Sequence, residues 1–523
     1  MWFRNVSTLA AGVLLVVLLS PMLGLFVSWL EWDASVWSYL LSTELSRLIT
    51  NTLELVLGVA VGVSVLGVAL AWLVCTYEFP GRRVLEWALV LPMAMPGYVL
   101  AFVLVALLDY SGPIYTAARH WFGSDVWFPV VRSQWGVIVV LSLVLYPYVY
   151  LLARSAFAVR NRECFEASRT LGFGPIQTFW RVALPMARPS VLVGVSLALM
   201  ETLADFGTVS VFNYDTFTTA IYSAWFGLFS WSAASQLSAV LLVFVAIVLG
   251  MEMRMRGAAR FHHALGRAER KQLGKVERWV ACFVACGVVF VGFLGPIIQM
   301  AWWSFEFFPQ VTSRDTQLVF NTLMLAGLAA LIVVSVALFF ATWVKRRPKS
   351  VLARCVRLAA LGYALPGTVL AVAVMLVIAF WDRTIGSMMD WRLIGTVAGL
   401  LLAYSVRFFA VGYGTISSAL EKVKPSLLEA GRVLGVSPLR RLMTLTLPLV
   451  RSGLLTAVLL VLVEVMKEMP ATLLLRPFGW DTLAVRIFEL TSEGDWTQAS
   501  VPGLALVLIS LLPVIVIIRR PNL

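Results

Sequence analysis
Two polar segments 263 residues apart follow one pattern in an otherwise apolar chain, and this repetition limits the fold more than any other feature. Glu166, Ala167, Gly172, Leu184 and Pro185, in residues 163–185, match Glu429, Ala430, Gly435, Leu447 and Pro448, in residues 426–448. An ungapped match of about 20 residues marks an internal repeat. Asn51-Thr52-Leu53 returns as Asn321-Thr322-Leu323, and Pro96-Gly97 as Pro366-Gly367. Tyr214-Asp215-Thr216 returns as Trp480-Asp481-Thr482. The two halves are therefore homologous throughout, each about 250 residues long.

Only 13% of the 523 residues are charged and 60% are hydrophobic. A soluble domain carries about 25% charged residues, so the composition is that of a membrane protein. Apolar runs lie near 1–30, 53–75, 84–108, 135–157, 187–207 and 235–251. After a basic stretch, six more lie near 279–303, 319–344, 355–380, 393–415, 449–470 and 499–518. The first run lacks a clear small-x-small cleavage site and is too long for a signal-peptide core, so it reads as a span. The expected fold is an all-α polytopic membrane protein with twelve transmembrane helices in two parallel six-helix repeats. Its parts are a first domain at 1–251, a basic joint at 252–278 and a second domain at 279–523.

Lys and Arg set the expected orientation. With the N-terminus inside, 31 of the 41 fall in inner segments and eight in outer loops, while Arg407 and Lys467 lie within spans. Both termini and both repeated segments are thus expected in the cytoplasm. The net charge of +13 belongs to a membrane face, and nucleic-acid binding is unnecessary to explain it. None of the five cysteines is placed for an extracellular disulfide, and Cys282 and Cys286 read as small core residues. A parallel repeat implies a pseudo-two-fold axis along the membrane normal, with a path along it.

Each repeated segment reads as helix, turn, helix. Gly172 and Gly435 permit the turn, Pro175 and Pro438 start the second short helix, and Pro185 and Pro448 mark re-entry into the next span. A polar helix pair at the cytoplasmic face suits docking of another protein. The pattern resembles the coupling motif of ABC-importer permeases: Glu-Ala-Ala, then Gly, then Ile-x-Leu-Pro at fixed spacing. Ser168 and Gly431 stand where that motif has its second Ala, and Val182 and Leu445 where it has Ile. The resemblance covers nearly the whole chain as two fused permease domains of the type I importer fold in a bacterial inner membrane. It implies that Glu166, Ala167, Gly172 and Pro185, with Glu429, Ala430, Gly435 and Pro448, couple the chain to two copies of an ABC ATPase. It also implies a separate periplasmic substrate-binding protein. The chain has no Gly-x4-Gly-Lys-Ser/Thr stretch, so ATP and Mg are expected on the partner ATPase, with no cofactor on this chain and no enzymatic activity of its own.

Acids within spans are costly and by default functional. Glu201 and Asp205, and 263 residues later Glu464 and Glu468, are spaced i, i+4. On continuous helices each pair shares a face. Four such carboxylates could meet near the pseudo-axis as a transient oxygen site for a hard cation. The alternative role is capping and pairing, with Lys467 and Arg407 as available partners. Tyr146, with Tyr148 and Tyr150, could line the same route. Residues 201–208 and 467–484 are similar to the fused permeases of ferric-iron importers, with fused thiamine and polyamine permeases as neighbouring families. A major-facilitator-type secondary transporter would also give a 6+6 layout, but it does not require the long inner segments 154–189 and 416–451. Three histidines without metal spacing and no nucleophile–base pattern argue against a membrane enzyme.

Overall fold
The computed structural model describes residues 2–27, 37–38, 40–123, 127–158, 168, 170–256, 270–307, 312–421, 423, 427, 433 and 436–519. The first half contains α1 (Trp2–Val27), α2 (Leu45–Thr76), α3 (Arg82–Ala88), α4 (Gly97–Leu108), α5 (Pro113–Phe122) and α6 (Gln134–Ala158). It continues with α7 (Leu184–Ala204), α8 (Gly207–Val211), α9 (Phe217–Phe226) and α10 (Trp231–Arg256). The second half contains α11 (Lys275–Val289), α12 (Gly295–Phe307), α13 (Ser313–Arg346), α14 (Val351–Ala359), α15 (Gly367–Trp381) and α16 (Val397–Glu421). It ends with α17 (Leu447–Lys467), α18 (Pro470–Leu475), α19 (Leu483–Ser492) and α20 (Ser500–Arg519). Among the described residues, eleven helical stretches are long and apolar enough to cross a membrane. The twelfth expected span is the shorter apolar stretch Ser500–Val516. The outward faces are apolar, as lipid requires: Leu57, Val61 and Val65 of α2 are exposed.

Two expected spans are not continuous. The runs at 84–108 and 355–380 each form a short helix, a 3-10 turn (Leu91–Ala94 and Ala360–Ala364) and a new helix starting at Gly97 or Gly367. Proline is the reason. Pro96 and Pro366 sit in extended backbone with ψ of 140° and 144°, and neither has an N–H to continue the preceding helix. Freed backbone groups inside a membrane need new partners. Tyr146 donates to the Leu89 carbonyl at 2.7 Å and Tyr150 to that of Glu86 at 2.9 Å, so both serve the first break. At the second, Arg407 Nη1 donates to the Leu365 carbonyl at 3.2 Å.

The stretches 208–234 and 471–498, each between two expected spans, fold back into the protein. Phe217 and Ile221 of α9, and Val485 and Ile487 of α19, are fully buried. The repeated sequence pairs noted above meet at this point. Asn51 Nδ2 donates to the Asp215 carbonyl at 2.8 Å, and Asn321 Nδ2 to the Asp481 carbonyl at 3.0 Å. Each half thus ties its long second helix to its returning segment by the same bond.

The halves interlock. Helix α1 packs on α15 and α14 of the second half, with Gly24 against Val377 and Ala373. Helices α11 and α12, at the start of the second half, touch α3 and α4 of the first half, and α12 also packs on α20. Where the joint re-emerges, Lys271–Gln272 pairs in parallel with Tyr77–Glu78.

Replacing Asn321 by Leu removes the bonds to both Gly479 and Asp481. Asn321 is buried but both carbonyls it serves are at least partly open to solvent, so each lost bond costs ~0.5–1.5 kcal/mol and the variant should unfold a few degrees lower in a detergent melt. An unchanged melting temperature would show that the tie contributes nothing.

Candidate functional site
A cavity of about 120 Å3 opens between the first helix break and the ends of α7 and α17. Its lining includes Glu201, Asp205, Glu464, Glu468, Arg407 and Lys467. All four acids expected from the sequence are therefore brought together. They do not sit as expected, however. Helix α7 ends at Ala204 and α17 at Lys467, and Asp205 and Glu468 follow in extended backbone. The second acid of each pair thus leaves the helix, and the i, i+4 face is broken.

Each of these two acids starts the next short helix. Asp205 accepts from the Val209 N–H at 3.1 Å and from the Thr208 hydroxyl at 2.8 Å. Glu468 accepts from the Ala471 N–H at 3.1 Å. The repeated glycines make room for them. A methyl group on Gly97 would lie 2.5 Å from Thr208 Oγ1 and 3.5 Å from Asp205 Oδ2. On Gly367 it would overlap Glu468 Oε1. Each acid therefore also lies beside the start of a re-begun helix, α4 or α15, whose dipole favours negative charge.

The halves differ in how the charge is balanced. Glu468 forms an ion pair with Arg407 at 3.2 Å, both side chains nearly fully buried. Lys467 lies 3.5 Å from Glu464. By the offset that relates α6 to α16, the counterpart of Arg407 is Val144, and that of Lys467 is Ala204. Glu201 instead accepts from the Tyr363 hydroxyl of the other half at 2.7 Å. Four carboxylates thus face two cations, a formal balance of −2. No three His, Cys, Asp or Glu side chains among the described residues stand close enough to hold a metal ion. The expected set of four carboxylate ligands is therefore not assembled in this conformation.

Tyr146 lies outside the cavity lining, because its hydroxyl is committed to the Leu89 carbonyl. Tyr148, one helical face away, lines it. Tyr98 and Met93 also line the cavity. The sequence reading did not single them out, although Met93 and Tyr98 flank the repeated Pro96-Gly97.

Of the segments expected to couple to a partner, Glu166, Ala167, Glu429, Ala430 and Gly435 lie outside the described residues. Gly172 has φ +79°, the left-handed turn expected of it, and Phe173 N–H donates to the Ser168 carbonyl at 3.0 Å. Short helices start at Pro175 and Pro438. Both copies then widen into a π turn, Phe179–Ala183 and Leu442–Thr446, before the spans that carry Pro185 and Pro448 in their first turn. Leu171, Ile176, Trp180 and Val433 are exposed in these segments.

The chain matches the family described as "binding-protein-dependent transport system inner membrane component" twice, over residues 63–253 and 333–519. It belongs to that family, as two fused copies, and is a multi-pass inner-membrane permease. It is 29% identical over 480 residues to an Fe(3+)-transport system permease protein of Haemophilus influenzae, covering 90% of this chain and 89% of that one. A molybdenum transport system permease protein of Escherichia coli is 29% identical over 35% of this chain and 80% of its own length. A sulfate transport system permease protein of Salmonella typhimurium is 27% identical over 37% of this chain and 68% of its own.

Replacing Arg407 by Leu leaves Glu468 buried without its counter-charge. Breaking a buried pair in this way costs ~3–5 kcal/mol, so this variant should melt far below the parent in detergent. The double variant with Glu468→Gln should recover much of the loss. A melt of Arg407→Leu equal to the parent's would contradict the pairing.

Proposed function
We propose that this chain is the membrane permease of an ATP-driven importer that passes ferric iron from a periplasmic binding protein to the cytoplasm. The observation that carries the reading is the cavity, small and formally negative, between two homologous halves. Oxygen-rich negative surroundings suit a hard cation. The volume of about 120 Å3 holds an ion with a few waters. Sites for drug-sized organic molecules run to roughly 300–1,000 Å3, which disfavours thiamine as cargo in this conformation. Sulfate, the cargo in the name of one relative, is an anion that a net-negative cavity repels. The fused iron-permease relative also spans both halves, whereas the sulfate and molybdenum relatives match little more than a third of the chain.

Two ATPase subunits would dock at residues 163–185 and 426–448, one per half, with both termini on the same cytoplasmic side. The exposed Leu171, Ile176 and Trp180 give that surface apolar anchors beside its charges. Closure of the ATPases would push both segments together. The π turns at Phe179–Ala183 and Leu442–Thr446 lead directly into α7 and α17, which end at the cavity acids. The push thus has a continuous helical route to Glu201 and Glu464. A secondary transporter of the major-facilitator type is set aside by the family match.

Uptake of labelled ferric iron, thiamine and molybdate by cells that also supply the binding protein and ATPase tests this. Iron uptake that needs both this chain and the ATPase is expected. Thiamine uptake without iron uptake would leave the permease standing and overturn the cargo.

A further inference from the structure
Hydrogen bonds cross from one half to the other at the cavity. Tyr363 donates to Glu201 Oε1 at 2.7 Å. Lys467 Nζ reaches the Met93 carbonyl at 3.4 Å, and the Tyr98 hydroxyl reaches the Lys467 carbonyl at 3.5 Å. The first is the shortest and has the length of a well-formed O–H···O bond. Tyr363 belongs to the 3-10 turn before the second break, and Glu201 lies in the last turn of α7. The bond therefore joins the break of one half to the acid-bearing helix of the other. The equivalent position in the first half is Met93, three residues before Pro96 as Tyr363 is before Pro366. Methionine cannot donate such a bond, so Glu464 has no mirror-image partner there and lies instead beside Lys467.

We propose that the Tyr363–Glu201 bond is a one-sided latch that holds the two halves together across the cavity, and that a cargo cation opens it by taking the Glu201 carboxylate. This rests on the cation pathway proposed above. One carboxylate oxygen of Glu201, a cavity-lining residue, is committed to Tyr363, which is not part of the lining. A cation drawn into the site competes for that oxygen. Once Glu201 turns to the ion, the short inter-half bond is lost. Cargo entry and separation of the halves are then one event. Tyr363 is a positioning residue in this scheme, acting through Glu201. The asymmetry matters, because one latch gives one point of release, and the opposite side stays braced by Lys467, which reaches across to the Met93 carbonyl.

The test uses the full chain with Ala204, a cavity-lining position, replaced by cysteine. Its rate of labelling by a water-soluble thiol reagent is read over the background of the five native cysteines. Tyr363→Phe removes only the hydroxyl and should raise the rate about 3–10-fold, the ratio expected for losing one bond of ~1 kcal/mol or somewhat more. Glu201→Ala breaks the same bond from the other half and should give the same rise, with no further rise in the double variant. Glu201→Gln keeps an oxygen that can accept from Tyr363, so its labelling should stay near the parent's while its iron uptake falls. Parent-like labelling in both Tyr363→Phe and Glu201→Ala overturns the latch. Faster labelling in both, with iron uptake intact in Glu201→Gln, keeps the latch and overturns Glu201 as a cargo ligand.

Discussion
The central constraint is a carboxylate held beside the start of a broken helix, twice. A membrane helix interrupted by proline exposes backbone groups that lipid cannot satisfy. The break survives only where protein groups close around it. Here the same few residues in each half do so: a Pro-Gly step, an acid at the end of the neighbouring span, and a hydrogen-bond donor reaching the carbonyls left behind. Gly97 and Gly367 let Asp205 and Glu468 approach closely, and the acids in turn cap the short helices that follow. The irregular backbone places charge and cavity together, because both need the same interruption.

Pseudo-symmetry brings these two constructions face to face, and departures from symmetry set the character of the space between them. Arg407 and Lys467 offset charge in the second half, while Val144 and Ala204 leave the first half without cations at the same positions. The residual negative charge therefore lies toward Glu201 and Asp205. Exchange of the first spans, α1 onto α15 and α12 onto α4, ensures that neither half is an independent body. Motion at the segments proposed to dock the ATPases would be taken up where the halves touch, which includes the cavity.

Much of this was legible in the sequence. The repeats Asn51/Asn321 and Asp215/Asp481 are visible as matching residues, and the structure gives them a shared bond. The left-handed turn at Gly172 and the short helix at Pro175 follow from the chemistry of those residue types. What hydropathy could not reveal is that a run of apolar residues was two half-helices, since burial makes both equally apolar. Pro92, Pro96 and Pro366 carried that signal, and reading the runs as spans overrode it. The acids were found by their cost in a membrane, but their helical phase was wrong because both helices end between the two members of each pair. Tyr146 was misplaced for the same reason: its role at the break is apparent only once the break is known. The link between Tyr363 and Glu201 joins residues 162 positions apart and has no local sequence signature.

The measurement that bears most directly on the account is the initial rate of ferric-iron uptake by a chain in which Glu201 and Asp205, the two cavity acids without a cationic partner among the described residues, are changed together to their amides. Glu468 is left in place, so its pair with Arg407 continues to support the fold. The account predicts that uptake falls to the level of cells without the chain, while membrane content and melting temperature stay near the parent's. Iron uptake at the parent rate would contradict it, because the cation would then cross without the negative charge around which the two halves are built.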